Sequence, residues 1–193
     1  YASRDKRIRY TMLGENKGIA GNTNAALTMV AGEYVALVDH DDILPPFAFY
    51  EVVKAINEAE VRPDFIYSDE DKFETMEKGR FMPYYKSDFS IDLLRSYNYI
   101  GHLSVVRHDL FKKIGGFNDT VDGSQDYDLV FRIIENTDRI VHIRKVLYHW
   151  RMHELSVAAN PESKLYAYET GRKAIENHLK RMGFEAQVDN AFF

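Results

Sequence analysis

The sequence predicts an α/β fold in which helices flank a sheet. Strand-like and helix-like segments alternate along the chain, which is typical of layered α/β domains. Residues 33–38, EYVALV, form a nearly continuous apolar run of the kind found in strands covered on both faces. Residues 163–182 carry apolar side chains at helical spacing, and Gly183 follows them as a helix stop. These patterns indicate one globular domain.

Each element follows from its local pattern. Strands are predicted at residues 7–13, 33–38, 65–68, 104–107, 140–143 and 146–150. Helices are predicted at residues 19–30, 47–60, 108–114, 125–135 and 163–182. Pro45 and Pro46 suit the first turn of the second helix, because proline lacks only an amide that a first turn leaves unpaired. Residues 39–44 are therefore expected to connect a central strand to the helix that follows it.

The bulk composition narrows the function classes. The chain has 193 residues, 45% of them hydrophobic, with a formal net charge of -5 and no cysteine. This charge gives no basic footprint, so a nucleic-acid partner is not favoured. The lack of cysteine excludes disulfides and thiolate metal sites, in keeping with a reducing compartment. No apolar run approaches the roughly 20 residues of a membrane-spanning helix, so the chain is expected to be soluble.

Three carboxylates follow the buried strand in the stretch YVALVDHDDILPP, at Asp39, Asp41 and Asp42. On an extended segment Asp39 and Asp41 point to the same side. Two carboxylates so placed suit a hard cation such as Mg²⁺ or Mn²⁺, which would relieve their repulsion. The alternative is a solvated turn in which Asp41 or Asp42 caps the next helix. Spacing alone leaves both interpretations open.

A second candidate is Asp126 in GSQDYDL, which falls in the first turn of a predicted helix if Ser124 is its cap. Asp128 shares that turn. An acid there is either a partner of the helix dipole or, at the edge of a cleft, a general base for a hydroxyl nucleophile.

Two polar segments complete the candidate set. The stretch LYHWRMHELSVA offers imidazoles, an aromatic face and a guanidinium able to pair with a diphosphate, at His149, Trp150, Arg151 and His153. The stretch ENKGIAGNTNAAL makes a glycine-containing helix entry that a ligand can approach closely. It matches neither established glycine fingerprint for phosphate binding.

Taken together, these motifs resemble the family 2 glycosyltransferases with the GT-A fold. ENKGIAGNTNAAL, LVDHDD, GGF, GSQDYDL and YHWRMH occur in that order over nearly the whole chain. YSDEDK, NYIGHLSVVR and GSQDYDLVFR look like enzymes that add sugars, often rhamnose, during bacterial O-antigen and other surface polysaccharide assembly. The resemblance implies an inverting transfer from a nucleotide-diphospho-sugar donor to a glycan or lipid-linked glycan acceptor. It also implies a cytoplasmic location, with peripheral attachment at the inner face of the membrane.

The resemblance also implies residue roles. Asp126 would deprotonate the acceptor hydroxyl, Asp41 would bind Mn²⁺ or Mg²⁺ at the diphosphate, and Asp42 would be the acid on the helix side. A further metal ligand would be His153, with His149 as the alternative. The residues assigned to the donor are Asp39, Asn16, Lys17, Gly18, Asn24 and Arg151. Those assigned to the acceptor or the sugar are Asp69, Glu70, Asp71, Asn98, His102, Gln125 and Trp150, where Gln125 stands at a position that is commonly Glu in the family.

The resemblance further implies that the chain is partial. The family begins with a strand carrying a proline and an asparagine and has a later strand ending in Asp-Asp-Gly-Ser, and neither is present here. We therefore expect residues 1–193 to be a single partial GT-A domain that lacks the first strands. Residues 1–60 would be the remainder of the nucleotide-binding part and residues 61–193 the acceptor and catalytic part. Such a fragment is expected to be nearly inactive, and its exposed sheet edge invites pairing with a second copy.

Two other functions stay open. A haloacid-dehalogenase-like phosphatase uses an aspartate pair of the same spacing with Mg²⁺, but it needs a small hydroxyl residue shortly after the second aspartate. Here Ile43 and Leu44 follow instead. A non-catalytic carbohydrate-binding or scaffold module would use the same aromatic residues without chemistry.

Overall fold

A computed structural model describes residues 1–152 and 164–189 of the chain. The predicted metal ligand His153 lies outside these residues. The α-helices of the described part are α1 (Gly18–Leu27), α2 (Ala48–Glu58), α3 (Ile91–Ser96), α4 (His108–Lys113), α5 (Gln125–Ile134) and α6 (Lys164–Arg181), with a short 3-10 helix at Asp119–Val121. The strands are β1 (Tyr34–Leu37), β2 (Phe65–Phe73), β3 (Arg80–Tyr84), β4 (Ser104–Arg107) and β5 (Ile140–Arg151).

The strands form one mixed sheet around β2. Strand β4 pairs antiparallel with the first half of β2 and β3 with its second half, whereas β5 runs parallel to β2 along its whole length. Strand β1 pairs antiparallel with β4. Within the described residues β1 has no second neighbour, so one of its edges lies at the margin of the sheet.

Helices cover both faces of the sheet, as the strand periodicity requires. Phe65 and Tyr67 of β2 pack with α5 in one core cluster, whereas Ile66 between them packs with α2 in the other. This alternation is the two-residue period of a strand, which sends neighbouring side chains to opposite faces. The predicted α/β class is confirmed. The sheet is mixed: three pairs of neighbouring strands run antiparallel, and β2 and β5 run parallel.

Two predicted strands at residues 140–143 and 146–150 are one continuous strand, β5. Its pairing with β2 shifts register, so that Ser68 is opposite Ile143 but Asp69 is opposite Val146. The two residues between them, Arg144 and Lys145, form a bulge with their charged side chains toward solvent. Charge at these positions made the sequence pattern look like the end of a strand.

Other differences also have local causes. The strand predicted at residues 7–13 has no regular structure, and Tyr10 and Met12 are 73% and 88% exposed, so its alternating pattern meets no packing face. Strand β2 continues beyond the predicted 65–68 through the acids that follow. Strand β3 and helix α3 were missed because they are short and, in β3, mostly exposed. Among the described helices, none has the length and apolar character needed to cross a membrane.

Candidate active site

The candidate site lies where the end of β1, the segment before β4, the start of α5 and the end of β5 meet. Residues 39–42 after β1 are called the aspartate loop below. The Asp39 amide donates to the Tyr148 hydroxyl of β5 at 3.1 Å. Its carboxylate Oδ2 lies 3.6 Å from Nε2 of His102, and the side chain is 59% exposed. Asp39 therefore presents a solvent-facing carboxylate on a backbone that β5 holds.

His102 is held by its ring and by its backbone amide. Its ring stacks on the ring of Tyr148, with centroids 4.6 Å apart and planes at 16°. Its backbone amide donates to Glu70 at 3.0 Å, which fixes the segment on β2. With Asn98 and Asp126 it lines a small cavity at the base of α5. The structure brings Asn98 and His102 next to Asp126, and their contact with an acceptor or sugar stays a prediction.

Asp126 is held in the first turn of α5, where Asn98 Nδ2 donates to its Oδ2 at 2.9 Å. Asp126 is partly buried, and this burial raises the pKa of its carboxyl group above the ordinary value. The negative charge of Asp39 acts in the same direction, whereas His102 in its charged form and the amides of Tyr127 and Asp126 oppose it. A carboxylate with a raised pKa is a stronger base once it is ionised.

The neighbouring acid Asp128 has a different environment. It is fully buried and pairs with Arg132 at 2.7 Å and with Arg181 at 3.6 Å. Arg132 also donates to the carbonyl oxygens of Ile114 and Gly116. Asp128 therefore joins α5 to α6 and to the turn after α4, while Asp126 alone of the pair faces the cavity.

The start of α5 differs in detail from the prediction. Ser124 does occupy the N-cap position, but its hydroxyl donates to the Ala167 carbonyl of α6 at 3.0 Å instead of accepting from α5. The Gln125 side chain accepts from the Gly123 amide at 2.7 Å. Gln125 thus shapes the turn next to Asp126, and its contact with an acceptor stays a prediction.

Asp42 is not the helix-side acid that was predicted. Its carboxylate accepts from the Tyr148 hydroxyl and from the Arg151 amide at 2.7 Å, both on β5. Burial raises the pKa of Asp42, although these two hydrogen bonds oppose the shift. Helix α2 starts only at Ala48, so Asp42 is too far along the chain to cap it. Asp42 anchors the aspartate loop to the sheet.

Arg151, predicted to bind the donor, also holds the aspartate loop. Its Nε donates to the Asp41 carbonyl at 2.6 Å, and its guanidinium lies 4.4 Å from the centre of the Phe73 ring. Trp150 lies beneath the Lys72 ammonium, 5.3 Å from its nitrogen. The contacts of Arg151 and Trp150 with donor or acceptor stay predictions.

The aspartate loop has the donor chemistry of a hard-cation site. Asp39 and Asp41 offer carboxylate oxygens, and their side chains are 59% and 34% exposed, so incoming oxygen ligands have access. The residues therefore fit Mg²⁺ or Mn²⁺. Within the part of the chain that the structure describes, no group of three or more acidic or histidine side chains is arranged to hold a metal by itself.

His149, the alternative metal ligand, has both ring nitrogens in contact with protein. Its Nδ1 is 2.6 Å from Asp71 Oδ1, and its Nε2 is 3.2 Å from the Arg80 guanidinium. Since a guanidinium only donates, Nε2 accepts and Nδ1 carries the proton. Its backbone pairs with Ile43, so His149 fixes the far side of the aspartate loop. The first choice, His153, lies outside the described residues.

The acids of β2, predicted to line the sugar side, are mostly buried supports. Asp69 accepts from the Lys86 amide at 2.9 Å and contacts His142 at 2.8 Å. Glu70 pairs with the Lys86 ammonium at 3.0 Å and also holds the His102 amide. Asp71 pairs with His149, its neighbour on the adjacent strand β5. The structure brings Glu70 to the back of the site, and direct contacts of these acids with a sugar stay predictions.

A carboxylate of the chain itself lies at the N-terminus of α1. The Asp122 carboxylate accepts from the amides of Ile19 and Ala20, so it occupies the helix end that a phosphate would approach. Gly18 has φ +74°, and a Cβ there would lie 2.3 Å from the same carboxylate. Asn24 brackets the backbone of Phe117 through both atoms of its amide.

The other polar groups before α1 hydrogen-bond to one another. Asn16 accepts from the Gly18 amide at 3.1 Å, and Lys17 donates its amide to Asn22 at 3.1 Å. Donor binding by Asn16, Lys17, Gly18 and Asn24 stays a prediction.

Sequence reasoning missed three supporting residues: Tyr148, Lys86 and Asp122. Tyr148 had a usable signal, since it sits two positions after Val146 on an alternating strand, but its partners are about a hundred positions away. Lys86 is a buried ammonium bonded to Glu70 and to the carbonyl oxygens of Ile100 and His102. A lysine is rarely so buried, and the residues around Lys86 in the sequence do not predict its burial.

A sheet covered by helices, with an acidic loop after one strand and a helix-borne carboxylate opposite, is the arrangement of a GT-A transferase. The chain belongs to glycosyl transferase family 2, whose family model matches residues 1–115. It is 42% identical over 186 residues to the uncharacterized protein y4gI of Sinorhizobium fredii. It is 34% identical over 187 residues to the O-antigen biosynthesis protein RfbC of Myxococcus xanthus.

These matches cover 94% and 97% of this chain but only 20% and 14% of the two relatives. The chain therefore spans a fifth or less of their length. Among solved structures, S. aureus TarS 1-349 in complex with UDP-GlcNAc has a TM-score of 0.66 at 20% identity, over 88% of this chain and 49% of that one. The mannosyltransferase PcManGT from Pyrobaculum calidifontis, with GDP-Man and Mn²⁺, has a TM-score of 0.52 at 16% identity, over 91% of this chain and 57% of that one. These likenesses establish the fold.

Proposed function

We propose that this domain transfers a sugar from a nucleotide-diphospho-sugar to a glycan or lipid-linked glycan acceptor, with inversion, in the assembly of a bacterial surface polysaccharide. The observation that supports it most is the position of Asp126, whose partly buried carboxylate accepts from Asn98 and shares a cavity with His102. The O-antigen biosynthesis name of the RfbC relative supports the class of product. The UDP-GlcNAc and GDP-Man of the structural neighbours support the class of donor.

The contacts support the following roles. Asp126 accepts the proton of the acceptor hydroxyl as that oxygen attacks the anomeric carbon, so the leaving nucleotide departs from the opposite face. Asn98 orients the carboxylate through the 2.9 Å hydrogen bond to Oδ2. The α5 amides favour the ionised form of Asp126, while burial raises its pKa and makes it more basic. Asp39 contacts the nucleoside side of the donor.

The metal ion is proposed to be Mn²⁺ or Mg²⁺, held by Asp41. When bound, such an ion supplies positive charge to the diphosphate leaving group. The Mn²⁺ of the PcManGT complex supports this proposal. Isothermal calorimetry with Mn²⁺ and a nucleotide diphosphate should show weaker binding for Asp41→Ala than for the unchanged protein, and equal affinity would count against direct ligation.

The transfer reaction is tested on the full-length gene product, with a panel of nucleotide sugars and mass spectrometry of the products. Asp126→Asn should reduce transfer at least a hundredfold, the range of a lost general base, while donor affinity stays unchanged. Asp109→Asn is the matched control, because Asp109 is an exposed acid in the first turn of α4. Transfer retained by Asp126→Asn would remove Asp126 from the base role.

The same assay separates the remaining alternatives. Donor or glycan binding without transfer in the unchanged protein would favour a carbohydrate-binding or scaffold module. Residues 1–193 alone are expected to transfer little or nothing, and transfer by this chain at the rate of the full-length gene product would contradict that expectation. A cytoplasmic location at the inner face of the membrane is tested by fractionation with and without high salt.

A further inference from the structure

We propose that the Tyr148 hydroxyl is the positioning group that sets the aspartate loop against Asp126, and that Asp42 is its partner in that role and not a ligand of donor or metal. The importance of this arrangement for transfer rests on the proposed function. The arrangement itself rests on contacts within the chain, and the first experiment tests it without any substrate.

The Tyr148 hydroxyl uses its one proton and a lone pair on the same loop. Tyr148 is fully buried on β5. Its hydroxyl donates to Asp42 Oδ2 and accepts from the Asp39 amide at 3.1 Å. A hydroxyl that donates to a carboxylate is fixed in direction, so its lone pair faces the second partner. The two bonds therefore hold the first and last residues of the aspartate loop to one atom.

The ring of the same tyrosine positions the opposite wall of the site. His102 stacks on it with centroids 4.6 Å apart, and His102 Nε2 lies 3.6 Å from Asp39 Oδ2. His102 also lines the cavity that contains Asp126. One side chain thus determines where Asp39 lies relative to His102, and through it relative to Asp126.

Asp42 has its carboxylate directed at β5. Tyr148 bonds one oxygen, and the Arg151 amide bonds the other at 2.7 Å. Both oxygens are satisfied by protein donors in a partly buried environment, where an unsatisfied carboxylate is costly. Asp42 therefore differs in role from Asp39 and Asp41, although the three carboxylates lie within four positions of the sequence.

The first experiment measures amide hydrogen exchange on residues 1–193 without substrate. Tyr148→Phe removes only the hydroxyl, so the Asp39 amide should exchange about fivefold faster, the factor equivalent to one ordinary hydrogen bond of ~1 kcal/mol. Tyr67→Phe is the matched control, since buried Tyr67 donates its hydroxyl to the Ser87 carbonyl and stacks on His142 at 4.6 Å. That variant should leave the Asp39 amide within twofold of the unchanged chain.

A second variant covers the case in which Tyr148→Phe does not fold. Asp42→Asn keeps the shape of the side chain and an acceptor for Arg151 but weakens the bond from Tyr148, so it should also speed exchange at Asp39, to a smaller extent. Unchanged exchange at Asp39 in the folded variants, or equal acceleration in Tyr67→Phe, would overturn the positioning role.

The second experiment measures transfer by the full-length gene product. Tyr148→Phe should lower kcat/KM about tenfold, mainly through a higher KM for the donor, because Asp39 is on the donor side. Tyr67→Phe should stay within twofold. Equal losses in the two variants would overturn the inference, since they would reflect general destabilisation. If the unchanged protein transfers no sugar, the proposed function fails, while the exchange result still decides the arrangement.

Discussion

Replacing Asp126 with Asn should stabilise the fold at neutral pH while it removes the proposed base. Burial raises the pKa of Asp126 above the ordinary value of 3.8. Below that ordinary value the group is neutral in both the folded and unfolded states, and its contribution to stability is fully present. As the pH rises through the folded pKa, the partly buried carboxyl ionises and that contribution is lost. Asn is a neutral isostere of the protonated acid, so it avoids this loss.

The size of the effect follows from the environment of the side chain. Each unit by which a pKa is raised corresponds to ~1.4 kcal/mol of stability lost on ionisation. The Asn98 bond at 2.9 Å survives, because the carbonyl oxygen of an asparagine at position 126 still accepts it. We therefore expect Asp126→Asn to have the higher Tm at pH 7; for a domain of this size each ~1 kcal/mol gained raises Tm by roughly 2–4 °C.

Thermal unfolding of residues 1–193, with and without Asp126→Asn, measures the difference in Tm at pH 7 and at pH 4. The gain at pH 7 should shrink at pH 4, where more of the acid is protonated in the folded protein. Asp109→Asn is again the control, because its exposed carboxyl should give no comparable gain. A loss of stability in Asp126→Asn at pH 7, or a difference that is the same at both pH values, would refute the reasoning.

Three further predictions concern buried charge, backbone conformation and pH. Asp128→Ala should cost about 3 kcal/mol by leaving Arg132 without its carboxylate, whereas Asp92→Ala, which removes an exposed pair at 3.8 Å, should cost under about 0.5 kcal/mol; similar costs in urea unfolding would contradict this. Gly123→Ala should destabilise more than Gly79→Ala, since both have positive φ but only the Cβ at 123 meets a ring, that of Tyr166 at 2.2 Å; equal Tm values would oppose it. The kcat/KM for transfer should fall with falling pH through the raised pKa of Asp126, and a flat acid limb would argue against that base.

Much of the fold could be predicted because its signals are local. The period of two in β2 and the helical spacing of α5 are readable within a dozen residues, and both elements were located correctly at their starts. The continuous β5 could not be, since only pairing with β2 carries the strand through the charged bulge at Arg144 and Lys145. The strand expected at residues 7–13 is absent for the converse reason. Its sequence pattern is suitable, but among the described residues no neighbouring strand pairs with it.

The sequence by itself determined the α/β class, the order of the motifs and the glycosyltransferase family. It also placed Asp126 at the start of a helix and three acids after a strand. Only the tertiary structure showed that these acids have different partners and different exposure. Asp42 is tied to Tyr148, 106 positions away, and Asp128 is buried against arginines of α5 and α6, while Asp39 and Asp126 face the site. The physical reason is that a carboxylate's role depends on the donors and the burial around it, and folding brings those from distant parts of the chain.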